Sequence, residues 1–168
     1  MRLGLAVLRI LVGLLFVGHG TQKLFGWFGG GGPEGTGQFF ESVGMRPGKQ
    51  NAVASGISET AGGALLALGL ATPLATAALS GTMATALWTV HKDNGPWVTA
   101  GGYEYNLVLM ALLFAVADLG PGPWSLDEKL GLERSGPRWA LAELVAGIAG
   151  TAAVLKRAGD QASASHGA

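Results

Sequence analysis

Long apolar runs, broken at intervals by glycine, proline and asparagine, organise this chain. Runs lie at about Leu3 to Gln22, Ala52 to Ala71, Leu74 to Val90, Tyr105 to Leu119 and Trp139 to Leu155. A helix needs ~20 predominantly apolar residues to cross a hydrocarbon core ~30 Å thick. The first three runs meet that length. The fourth is shorter and borrows Gly101 to Glu104 to span. The fifth carries Glu143, Gly147 and Gly150, so it reads as a helix whose crossing stays open, since a central carboxylate costs ~2.5–3.5 kcal/mol on insertion scales. Nothing alternates with the period of two that a closed β-barrel requires. The expected fold is therefore all-α, a polytopic antiparallel four-helix transmembrane bundle over residues 1–127. A polar linker at 128–138, an additional helix at 139–157 and a disordered tail at 158–168 follow.

The connections sharpen this picture. Thr72-Pro73 leaves almost no loop between the second and third runs, which makes them antiparallel neighbours; proline is tolerated in a helix's first turn. Asp93-Asn94-Gly95-Pro96 is turn chemistry, and Pro121-Gly122-Pro123 ends the fourth run. The longest connection, Phe25 to Lys49, holds a flexible Gly29 to Gly32 stretch. Gln38-Phe39-Phe40 and Val43 suit a short helix lying on the membrane face. Gly48-Lys49 lacks phosphate-loop spacing and any following Ser or Thr, so a nucleotide site is rejected. Arg9 interrupts the N-terminal run and no small-x-small site follows it, so an uncleaved first span is preferred to a signal peptide.

Composition agrees. Charged residues are 13% of the 168, against ~25% in an average soluble domain. Net charge is zero and there is no basic tract, which argues against a nucleic-acid partner. The absence of cysteine excludes disulfides, zinc–thiolate sites, iron–sulfur ligation and thiol catalysis by this chain. If the fifth run does not cross, the termini share a side that is richer in Lys and Arg, and the positive-inside rule makes them cytoplasmic; if it crosses, the bias disappears.

Ionisable residues inside spans are expensive and mark candidate sites. Here they are Arg9, His19, Lys23, Glu59, His91 and Glu104, with Asn106 beside the last and Glu143 in the doubtful fifth run. At about 100° per residue, Lys23 falls about 40° and His19 about 80° from Arg9, so one face of the first helix carries Arg9, His19 and Lys23 together with Gly13, Phe16 and Gly20. Ser55, Glu59 and Gly63 form a small–acid–small stripe suited to facing a neighbour. Alternating helix direction places His19, Lys23, Glu59, His91 and Glu104 at one end of the bundle, with Arg9 about 15 Å further along the first helix than His19. The expected product is a polar pocket open to one face, with Arg9 as its floor or as a separate anchor. Snorkelling, capping and packing ion pairs account for the same residues without chemistry. Tyr103, Tyr105, Trp27, Trp97 and Trp124 read as interface-belt aromatics. Two histidines at one end are a weak signal for haem, and no set of metal ligands can be assembled.

Leu8 to Phe16, Gly18-His19-Gly20 and Lys23 to Gly26 resemble the opening of DoxX family proteins. Glu59 with Gly62-Gly63 resembles their second helix. Gly101 to Leu107 and Gly120-Pro121-Gly122 to Ser125-Leu126-Asp127 resemble their fourth. The resemblance covers about Leu3 to Asp127. It implies a four-helix, multi-pass protein of a bacterial inner membrane, similar to the large membrane subunit of thiosulfate:quinone oxidoreductase and acting within oxidoreductase assemblies. Arg9, His19, Lys23, Glu59 and Glu104 match the family pattern. The expected function is thus a quinone-reactive membrane subunit acting with a cofactor or a soluble redox partner protein, alone or as a homo-oligomer. A non-enzymatic scaffold or small-solute carrier is the alternative.

Overall fold

The computed structural model describes residues 3–166, and among them the chain is helical with no strand. Its α-helices are α1 (Leu3–Phe25), α2 (Gly32–Ser42), α3 (Gly48–Leu68), α4 (Thr72–Ala86), α5 (Glu104–Leu119), α6 (Leu126–Leu130) and α7 (Pro137–His166). A π-helix, Leu87–His91, continues α4, so that rod rises about 30 Å in all. The first four apolar runs correspond to α1, α3, α4 with its π turn, and α5. Helix α1 and the Pro137–Gln161 part of α7 are each long and apolar enough to cross a membrane.

The tightest contact is α1 against α3. Gly13 lies on Gly63 and Ala67, and Gly20 lies on Gly56 and Thr60. The pairing runs forward on one helix and backward on the other, so the two are antiparallel. A Cβ added at Gly13 would stand 2.6 Å from both Gly63 O and Ala67 N. Only hydrogen-bearing Cα atoms let the backbones come this close, the device that replaces hydrophobic drive where the surroundings are themselves apolar. Helix α4 returns against α3, with Leu79 over Gly62 and a Ser58–Thr82 hydroxyl bond of 3.2 Å. The neighbours expected from the short link are therefore in direct contact. The turn itself is Gly69-Leu70-Ala71, and Thr72-Pro73 already belongs to the first turn of α4. Val12, Phe16, Leu66, Leu79, Leu109 and Leu113 close the core between α1, α3, α4 and α5.

Helix α7 differs most from expectation. It starts beside the end of α5, where Gly136 N donates to Asp118 O, and it runs parallel to α4. Gly147 sits on Gly81, and Thr151 Oγ1 donates to Gly81 O at 2.9 Å. At the far end Arg157 reaches Gln50, near the start of α3, at 3.5 Å. Helix α7 thus traverses the full height of the bundle as a fifth long rod. It also continues through His166, beyond the 157 boundary expected for it; of the tail expected to be disordered, residues 167 and 168 lie outside the described residues. The surface helix foreseen at Gln38 to Val43 begins earlier, at Gly32, with Pro33 in its first turn, so it absorbs part of the stretch expected to be flexible.

The distribution of polarity is inverted. Leu3, Val7, Leu11 and Leu14 of α1, and Leu141, Val145 and Ile148 of α7, are exposed, whereas Arg9, Glu59, Asp127 and Glu143 are buried.

Candidate functional site

The polar residues meet in two places, at opposite ends of the bundle. The first is the end where α1 finishes and α3 begins. Lys23 Nζ there forms an ion pair with Glu59 Oε2, and the Glu59 side chain is 4% exposed. One carboxylate is therefore neutralised between two helices that glycines hold close. The pairing follows from the shared sector of Lys23, Gly20 and Gly13 on α1 and from the buried α3 face of Ala52, Gly56, Glu59 and Gly63.

The other candidates at this end do not join that pair. His19 is exposed, with Nδ1 at 3.1 Å from Gln22 Oε1 on the same helix. The buried arc of α1 is centred nearer Gly20 and reaches round to Thr21, so a residue about 80° from Arg9 on the other side turns outward. His91 Nδ1 lies 2.7 Å from Gly101 O. A carbonyl only accepts, so Nδ1 carries the proton and Nε2 is left as the ring's acceptor. Glu104 Oε1 accepts from Val98 N at 2.7 Å and closes the 95–104 connection on itself. Asn106 is buried and points its amide at Met83, with Nδ2 3.5 Å from the carbonyl oxygen. The single pocket expected from these residues resolves into one ion pair and several local staples. Lys49 donates to Glu34 on the exposed connection, and that hydrogen bond holds the Glu34 carboxyl below its usual range.

The second polar centre surrounds the α3–α4 turn. Arg9 is fully buried; its Nη1 donates to Leu66 O at 3.1 Å and to Ala67 O at 2.5 Å, and its Nη2 to Trp124 O at 3.5 Å. Asp127 accepts from Ala71 N and Thr72 N, both at 2.9 Å, and from Thr72 Oγ1 at 2.8 Å. A cation thus caps the carbonyl end of α3 and an anion caps the amide end of α4, each at the helix pole of opposite sign. They also attract one another through space. Of the two roles expected for Arg9, the anchor describes this geometry and the pocket floor does not. Asp127 was not singled out in the sequence. Ser125, whose hydroxyl accepts from Glu128 N, signals the start of α6, but nothing near Asp127 shows that its carboxylate will reach back to Thr72.

A groove of about 320 Å³ opens sideways between α4, α5 and α7, lined by Leu87, Trp88, Met110, Ile148, Thr151 and Leu155 among others. It lies toward the Lys23–Glu59 end, on the opposite flank of α4 from α3. Trp27, Trp97 and Trp124 are more than half exposed at the two ends, where belt aromatics sit. No cluster of three or more His, Asp or Glu suited to a metal exists among the described residues.

The ion pair makes its own prediction. Lys23→Met should destabilise the protein by about 3–5 kcal/mol, because it strands a buried carboxylate. Glu59→Gln should cost less, and Lys23→Met with Glu59→Leu should recover most of the loss. Thermal unfolding in detergent reads all three; a loss in the double variant equal to the sum of the two single losses would show that the pair is not coupled.

The DoxX family profile matches residues 4–92, from α1 through the π turn. A Bacillus subtilis (strain 168) protein named "Putative oxidoreductase CatD" is 33% identical over 114 residues, which cover 68% of this chain and 78% of that protein. No solved structure matches. Over half of its length, and with the glycine-rich α1–α3 crossing inside the matched region, the chain belongs to the DoxX family, whose members are membrane-associated.

Proposed function

We propose that this chain is the integral-membrane subunit of an oxidoreductase assembly in a bacterial inner membrane, that it crosses the bilayer with α1, α3, α4, α5 and α7, and that it works with a quinone. The inverted surface carries the membrane half of this reading. Water would not tolerate an outer shell of Leu, Val and Ile around buried Arg9, Glu59 and Asp127, whereas hydrocarbon favours it. The redox half is supported by family membership and by the name of the Bacillus subtilis relative. Side chains of this chain move protons and polarise carbonyls but carry no electrons, and there is no thiol. A quinone, a bound cofactor or a soluble redox partner must supply the electron carrier.

The α4–α5–α7 groove suits the quinone. It is apolar, opens at the side of the bundle, and is walled by Leu87, Trp88, Met110, Ile148 and Leu155. His91 lies about one π turn beyond Leu87, with Nε2 able to exchange a proton with a quinone oxygen. Ala152→Trp, placed in the groove wall, should abolish co-purification of quinone and lower quinone-dependent turnover at least tenfold with unchanged folding. His91→Ala should lower turnover and leave quinone bound. Protein that carries no quinone and shows no electron transfer with any added partner would replace this reading with the scaffold one. That second reading has its own support, since Arg9, Asp127 and Glu104 are all committed to backbone groups.

A further inference from the structure

The seam between α4 and α7 holds a group that neither polar centre uses. Glu143 is 2% exposed, and neither of its carboxylate oxygens has a hydrogen-bond partner among the described residues. The Ser80 hydroxyl faces it from α4 without reaching hydrogen-bond geometry, and the Trp139 indole N–H, one turn earlier on α7, is likewise buried without a partner. Glu143 and Ser80, both unsatisfied, thus face one another on one seam, with Glu143 about 9 Å inside the start of α7. Among the described residues, no cation forms an ion pair with the carboxylate. Helix α4 contains no titratable residue, and α5 contributes only Glu104 and Tyr105 at the far end and Asp118 in its last turn, about a helix turn and a half from the level of Glu143.

We propose that Glu143 is a proton-binding site inside the bundle, held as the neutral acid at neutral pH, with the Ser80 hydroxyl as its nearest exchange partner. An ionised carboxylate with neither cation nor donor in an apolar seam is the most costly arrangement available to it, and taking up a proton removes that cost. The step is simple: a proton adds to one carboxylate oxygen, an O–H bond forms, and nothing is oxidised or reduced. The neutral acid has one donor to offer and a small hydroxyl beside it to accept. It also removes the charge that made the fifth apolar run doubtful as a span, so α7 crosses with an uncharged centre. On the same face of α7, Gly147 and Thr151 follow Glu143 at intervals of four, and Thr151 joins Thr85 and the groove wall. The inference does not depend on quinone chemistry, since it concerns the protonation state of one residue in the full chain.

Infrared difference spectroscopy on the purified protein in lipid tests it. At pH 7 the C=O stretch of a protonated carboxylic acid, above the amide I band, should be present, should be lost in Glu143→Gln, and should remain in Glu59→Gln. Ser80→Ala should shift the band without removing it. A hydrophobic carbodiimide, which attacks the protonated acid, should label the Glu143 peptide at pH 7 and leave the Glu34 peptide unlabelled; raising the pH should diminish the labelling. Glutamine has the shape of the neutral acid, so Glu143→Gln should stay folded. If it does not, the carbodiimide result on the unaltered protein still decides the matter. Absence of both the band and the label at pH 7 would overturn the proposal. So would protection of Glu143 from labelling by sodium at constant pH, which would make the seam a metal-cation site.

Discussion

Gly63→Leu should dissolve the α1–α3 contact and leave little folded protein. A side chain there has nowhere to go: the first added carbon would stand 2.6 Å from Gly13 O and 2.8 Å from Val17 N, both backbone atoms. Overpacking a core by one or a few carbons costs about 1–3 kcal/mol when neighbours shift. Here the neighbours are main chain, so even Gly63→Ala should reach the upper part of that range. Leucine should exceed it and drive the helices apart, which would also break Lys23–Glu59 about one turn away. Gly150→Leu is the matched control, because nothing lies within 4 Å of its added carbon. It should be neutral or slightly stabilising, as leucine is the better helix former. Yield of monodisperse protein in detergent, followed by thermal unfolding, separates the two. Comparable behaviour of Gly63→Leu and Gly150→Leu would refute the close crossing.

The second large effect is expected at the α3–α4 turn. Asp127→Ala should cost about 3–5 kcal/mol, the range for stranding one member of a buried charge pair. It removes three hydrogen bonds from the start of α4 and leaves Arg9 without its balancing charge. Arg9→Leu should cost a similar amount by uncapping the end of α3. The double variant Arg9→Leu with Asp127→Leu should lose clearly less than the sum, because no lone charge then remains in the bundle. A double-mutant cycle on thermal unfolding gives the coupling. Strict additivity would mean that the two caps act independently and that the through-space attraction contributes nothing measurable.

These two sites show what the sequence could reveal. The buried faces of α1 and α3 were legible, since Arg9, Gly13, Phe16 and Gly20 repeat at helical spacing and all proved buried. The Lys23–Glu59 pair was legible in part: an acid deep in an apolar run needs a donor, and helix direction left Lys23 or His19 to supply it, of which the structure selects Lys23. His19 was expected on the same face of α1 as Arg9 and Lys23, and it lies outside that buried face. A residue near the edge of a sector is decided by where the neighbouring helix sits, which a single sequence does not give. Glu104 and His91 were assigned to the right end, but local turn chemistry claimed them: the 95–104 connection needed acceptors for its own N–H groups and donors for its carbonyls. Asp127 was invisible as a cap, because its partners lie more than fifty residues upstream. Helix α7 was undecided for a physical reason: insertion scales count Glu143 as charged, while its cost depends on a protonation state that hydropathy does not contain.

The traverse by α7 is where the whole account is most exposed. On the proposed membrane reading, it makes this an inverted five-rod bundle with the two ends of α7 on opposite faces and Glu143 inside the membrane. The chain contains no cysteine, so every thiol introduced is the only one present. Single cysteines at Ser42, Glu133 and Asp160, all exposed, should be labelled by a membrane-impermeant maleimide in sealed, oriented membranes. Ser42→Cys and Asp160→Cys should react from the same side, and Glu133→Cys from the other. Reaction of Asp160→Cys and Glu133→Cys from one shared side would contradict the crossing of α7 and the account built on it.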